Sequence, residues 1–172
     1  DNDGDSTTLE APNGDGVNEG DYLLSDSTVL WDASAMSGYH NDIAGLVQDD
    51  TSVLDQTTSQ SINSDSIVEM SAASSQDNGD ALLWGNDDGS TSETTSEVPS
   101  GFVKRITRVW RVEETGNIGT TTVKFDLSSL SLTGNKAGHF ALVVDSDTTF
   151  SSCATTYSAA SYSSNILTFN SV

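Results

Sequence analysis

An all-β fold, an antiparallel β-sandwich or jelly roll with long acidic loops, is what this sequence predicts, and three observations predict it. Its apolar residues fall in short runs rich in Val, Ile, Leu and aromatics, each bounded by Ser, Asp, Asn or Gly. No window of a dozen residues sustains an i, i+3, i+4 apolar stripe. Serine and threonine are abundant throughout, and their side chains compete with helical backbone hydrogen bonds.

Taken in order, residues 1–21 (DNDGDSTTLEAPNGDGVNEGD) hold seven carboxylates and four glycines with almost nothing apolar, and they read as loop. The organisation predicted is an acidic lead-in over 1–20 and one sandwich domain over 21–172. At 172 residues the chain has room for a single core. Strands are expected at YLL (22–24), TVLWD (28–32), NDIAGLV (41–47), SIVEM (66–70) and ALLWG (81–85). Segment 52–62, SVLDQTTSQSI, holds at most one turn of helix. The polar stretch 86–101, NDDGSTSETTSEVPSG, is expected as an exposed excursion. The strongest alternation, GFVKRITRVWRVEET (101–115), reads as one strand, and TTTVKFDLSSL (120–130), HFALVVD (139–145) and NILTFNSV (165–172) bring the series to nine. Trp31, Trp84 and Trp110 each lie inside an apolar run and are expected in the core. Tyr39, in the polar turn SGYHND, is better placed to stack on a sugar.

Charge narrows the function classes. There are 26 acidic residues against 6 basic, a formal net charge of −20. Such a surface repels phosphate backbones and anionic lipid, which disfavours nucleic acid and membrane surfaces as partners. It also repels itself, so the compact state is helped by cations, and saline water or millimolar extracellular calcium supplies them. Both settings point to an exported, extracellular protein. No apolar run approaches the length of a membrane span. The start at DNDGD reads as a mature product or a piece of something longer. Cys153 is the only cysteine, so no internal disulfide forms, and it reads as a small buried apolar side chain.

Calcium is the cofactor these acids suggest. Asp1, Asp3 and Asp5 alternate, and Asn13, Asp15, Asn18, Glu19 and Asp21 follow, separated by glycines that let a short loop wrap oxygens around a hard cation. Against the EF-hand loop, positions one, three and five are filled from Asp1, but Ser6 stands where glycine is needed and Pro12 where the closing Glu is needed. The segment NGDGVNEGD resembles calcium loops of dockerins and thrombospondin-type repeats, with Ala11 in place of their leading Asp. A solvated acidic linker is the competing reading. Asp49–Asp50 and, within Asn86–Asp87–Asp88–Gly89, Asp87 and Asp88 are secondary metal candidates, against which stands an ordinary Asx turn.

Four of the six basic residues, Lys104, Arg105, Arg108 and Arg111, crowd into one segment. Alternation there places Lys104 and Arg108 with Ile106 and Trp110, and Arg105 and Arg111 with Val103 and Val109. Charges split over two faces read as internal counter-ions to the surplus carboxylates rather than as a glycan patch. Motifs for catalysis are missing: there is no GxSxG, HExxH, P-loop or GxGxxG, and His40 beside Asn41 and Asp42 reads as structural. A Lys–Asn isopeptide cross-link has only Lys124 as a reasonable donor, and nothing local supports it.

One ordered series is more specific than any of its parts. DYLLSDSTVLWDASAMSGYHNDIAGLVQDD (21–50), QSINSDSIVEM (60–70), ALLWGNDDG (81–89) and RITRVWRVEETGNIGTTTVKFDLSSL (105–130) resemble an uncharacterised β-rich domain that recurs in large secreted bacterial surface proteins. The resemblance spans about residues 21–150. It implies a context on the cell surface, beside adhesive modules, and carries over no catalytic or binding residue. The function expected is therefore a non-catalytic structural or adhesive module of a surface protein or fibre, stabilised by calcium, with neighbouring domains or like subunits as partners. A carbohydrate-binding module that takes glycans is the alternative.

Overall fold

A computed structural model describes residues 20–63, 66–146, 150 and 155–172. Its strands are short: β1 (Tyr22–Leu23), β2 (Val29–Trp31), β3 (Asn41–Asp49), β4 (Leu54–Gln56), β5 (Thr58–Gln60), β6 (Val68–Ala72), β7 (Ala81–Asn86) and β8 (Glu93–Thr94). There follow β9 (Arg105–Ile106), β10 (Trp110–Thr115), β11 (Thr121–Asp126), a 3₁₀ turn (Ala137–His139), β12 (Ala141–Val144), β13 (Thr155–Ser158), β14 (Ser161–Ser163) and β15 (Ile166–Phe169). A four-stranded sheet in the order β10-β7-β3-β4 faces a five-stranded sheet in the order β14-β15-β11-β6-β5. The pairings within both sheets are antiparallel, as the predicted sandwich requires.

Alternation builds the core between the sheets. In β11, Val123 and Phe125 point inward while Thr122, Lys124 and Asp126 alternate outward. Leu46, Trp84, Leu167 and Phe169 meet them, and Phe125 takes Trp110 edge-on at 5.5 Å and Phe169 at 6.0 Å between ring centres. β7 breaks the alternation because all six of its residues are buried. Its Leu82 and Trp84 enter the inner core, while Ala81 and Leu83 enter a second cluster with Leu24, Leu30, Trp31 and Ile43. The β1–β2 hairpin thus covers the outer face of the four-stranded sheet, and a strand covered on both faces reads as a continuous apolar run. Seating that hairpin requires Gly85: a Cβ there would lie 2.1 Å from the Tyr39 carbonyl oxygen and 3.3 Å from the Trp31 ring.

The structure departs from the sequence expectations in identifiable places. The single strand over 101–115 is two, β9 and β10, because the Arg108 amide turns aside to bond the Ser90 carbonyl. The excursion 86–101 is exposed over much of its length, but β8 inside it pairs with β9. Segment 52–62 contains no helical turn. It forms β4 and β5, edge strands of opposite sheets with Thr57 between them. Besides β4, β5 and β8, the Ser/Thr-rich β13 and β14 also went unanticipated, since they carry little apolar signal. All three tryptophans pack as expected: Trp31 and Trp84 are fully buried, and Trp110 is half-buried against the core. Cys153 lies outside the described residues.

Candidate functional site

Three of the segments that carry the resemblance, NDIAG, LWGND and RVWRV, converge on one buried polar cluster. A register shift in β3 between Asn41 and Ala44 places Asp42 at a left-handed φ of 54° and turns its carboxylate inward. Asp42 Oδ2 accepts from Asn86 Nδ2 at 2.7 Å, and Oδ1 accepts from Asn63 Nδ2 at 3.0 Å. The Arg108 guanidinium lies 3.6 Å from Asp42 and 3.5 Å from Asp88, and its Nε donates to the Gly89 carbonyl at 2.8 Å. Asp42, Asn86 and Arg108 are all buried. The guanidinium sets its charge against both carboxylates, and its fixed fork ties the loop after β7 to the start of β3.

The residues proposed as metal ligands divide by position. Asp1, Asp3, Asp5, Asn13, Asp15, Asn18 and Glu19 lie outside the described residues. Asp21 is buried and accepts from the Ala33 amide at 2.8 Å, which anchors the β1–β2 hairpin. Asp87 Oδ1 accepts from the amides of Gly89 at 2.9 Å and Val109 at 3.0 Å, and Asn86 Oδ1 accepts from the Asp88 amide, so 86–89 folds as successive Asx turns. Asp49 binds Ser25 through both its hydroxyl and its amide, and these bonds hold its carboxyl at about 2. Asp50 accepts from Gln48 Nε2. Among the described residues, no three of His, Cys, Asp and Glu converge as a metal-binding group.

The cations behave as counter-ions. Lys104 pairs with Glu93, Arg105 with Glu97, Arg111 with Glu113 and Lys124 with Glu69, in addition to the Arg108 pairs. Glu93 accepts from Lys104 and from both the hydroxyl and the amide of Thr133, so its carboxyl also falls to about 2. Tyr39 is half-buried and packs against the hairpin cluster, while His40 is exposed.

A different surface gathers ligand-like groups. Register puts Gln60 (β5) opposite Glu69 (β6), Glu69 opposite Lys124 (β11), Lys124 opposite Thr168 (β15) and Thr168 opposite Ser161 (β14). These five side chains form one rung across the outer face of the five-stranded sheet. Beside it opens a shallow concavity of about 260 Å³, lined by Gln60, Glu69, Lys124, Asp126 and Thr168 with Ile67 and Ile166. The strands of this sheet carry only two carboxylates, Glu69 and Asp126, and one ammonium, Lys124.

The family model described as a domain of unknown function, DUF8202, matches residues 7–172. The chain belongs to the DUF8202 family. No curated protein and no solved structure matches it. Membership assigns no chemistry to the DUF8202 domain, so its functional reading rests on the residues above.

The outer-face rung was only partly legible in the DUF8202 sequence. Alternation in TTTVKFDL exposes Lys124 and Asp126 together, but pairing Glu69 with Lys124, 55 residues apart, is a matter of register. Gln60 was hidden because its strand has no apolar run to announce it.

Proposed function

We propose that this domain is a non-catalytic extracellular structural or adhesive module of a bacterial surface protein or fibre, stabilised by calcium, whose partners are neighbouring domains or like subunits. The observation that supports this reading is the disposition of charge. Five of the six basic side chains are engaged in internal ion pairs in a chain of net charge −20. Counter-charge for the remaining carboxylates therefore has to come from solvent, and extracellular calcium is a divalent source. The acidic lead-in, with Asp1, Asp3, Asp5, Asn13 and Asp15, has the oxygen chemistry that calcium takes. The described side chains that are most strongly bonded serve turns and inter-strand ties, which suits a load-carrying scaffold.

Thermal melting of the full chain in EDTA, and after adding calcium or magnesium, tests the reading. One site filled at ten times its dissociation constant adds about 1.4 kcal/mol by mass action. Calcium is expected to raise the melting temperature by several degrees, and magnesium by much less. A melting temperature indifferent to chelator and to calcium would refute it.

A further inference from the structure

We infer that the outer face of the five-stranded sheet is a binding surface for an uncharged glycan, which would lie across the strands along the rung Gln60–Glu69–Lys124–Thr168–Ser161. Three features of the face select this ligand class. First, the rung supplies an amide, a carboxylate, an ammonium and two hydroxyls in a row, a density of donors and acceptors that matches vicinal hydroxyls. With strands about 4.8 Å apart, five side chains span roughly 19 Å, the reach of a short oligosaccharide rather than of a single sugar.

Second, the face is close to charge balance in a molecule of net charge −20. Glu69 and Lys124 neutralise each other at 2.6 Å, which leaves Asp126 as the unbalanced charge of the sheet's strands. A neutral ligand therefore escapes the repulsion an anionic one would meet. Both members of the pair stay about one-third exposed or more, so Lys124 keeps donors and Glu69 keeps acceptor capacity for a hydroxyl.

Third, the concavity of about 260 Å³ has the partly exposed Ile166 among its lining residues, an apolar contact for the C–H face of a sugar ring, while Ile67 at its floor is buried in the core. A second protein copy fits less well, because a protein interface wants an apolar core, and the outward residues of this sheet are nearly all polar. This inference does not depend on the calcium reading, since none of the rung residues belongs to the acidic lead-in.

The experiment is amide chemical-shift mapping on the full chain in calcium buffer. The titrants are neutral tetrasaccharides of the β-glucan, xylan, mannan and chitin types, with an oligouronate as the anionic control. Saturable shifts confined to β5, β6, β11, β14 and β15 with at least one neutral tetrasaccharide are expected, and the oligouronate should produce none. Lys124→Ala and Thr168→Val should each weaken that binding about tenfold. The melting temperature should hold within a few degrees, because both side chains are partly exposed and an exposed ion pair contributes little. The inference is overturned if no neutral tetrasaccharide moves these amides, if the shifts map to the Tyr39 turn instead, or if the oligouronate binds as well. Shifts at this face that grow with protein concentration in the absence of sugar would also overturn it, by showing that another copy covers the surface. A domain that binds sugar but melts identically in EDTA would retain this inference and lose the calcium reading.

Discussion

Asp42 holds a backbone conformation that L residues seldom adopt, and the short polar side chains Asp and Asn tolerate it best. Its carboxylate is buried and shared among Asn86, Asn63 and Arg108, so removing Arg108 takes away the cation that faces this buried charge. Arg108→Ala is therefore expected to cost about 3 kcal/mol in urea unfolding. Asp42→Asn, which keeps the shape and the φ preference, should cost distinctly less. Gly85 is constrained by space rather than by φ. Gly85→Ala pushes a methyl into the Tyr39 carbonyl, so the β1–β2 hairpin must lift from the sheet or β7 must shift. Overpacking of this kind costs roughly 2–3 kcal/mol, and quenching of Trp31 fluorescence by added iodide would report whether the hairpin has lifted.

Single carboxylates tie separate elements together, and pH exposes these ties. Asp49 at the end of β3 holds Ser25 in the β1–β2 turn, and Glu93 in β8 holds both Lys104 and the Thr133 turn. Both carboxyls sit at about 2 in the folded chain, below their ordinary values of 3.8 and 4.5. A lowered folded value means the ionised form favours folding, so the contribution is complete above about pH 5 and disappears as pH falls toward 2. Stability should decline through that window. In a carboxyl-resolved NMR titration, Ser25→Ala should move the Asp49 midpoint up toward 3.8 and leave Glu93 where it is. An Asp49 midpoint that stays at about 2 would show that the Ser25 hydroxyl does not hold this carboxylate. At this scale β4 and β5 are equally informative: their Thr, Ser and Gln residues make strands because they complete sheet edges, with the Ser59 hydroxyl accepting from Gln56 Nε2 and from the Gly45 amide.

Across the whole molecule, charge is unevenly distributed. No charged side chain occurs between Thr148 and Val172, while acids crowd the loops of the four-stranded sheet and the first 21 residues. Self-repulsion among these surplus carboxylates should make stability salt-dependent even with metal removed. In EDTA, the melting temperature is expected to rise as NaCl goes from about 0.01 to about 0.5 M, since the Debye length shrinks from about 30 to below 8 Å. A flat salt response would mean that the surplus carboxylates lie too far apart to oppose folding. The same unevenness makes the five-stranded sheet the face on which a neutral ligand can settle.

Composition and alternation by themselves determined the fold class, the burial of Trp31 and Trp84, the pairing role of the cations, and the excess negative charge. These are local or additive properties: a strand's inward face and a net charge can be read without knowing what lies opposite. Tertiary structure alone decided that the 101–115 segment breaks at Arg108, that Asp42, Asn86 and Arg108 meet, and that Gln60, Glu69, Lys124, Thr168 and Ser161 share one rung. Each of these depends on register between strands distant in the chain, where a slip of one residue sends every side chain to the other face.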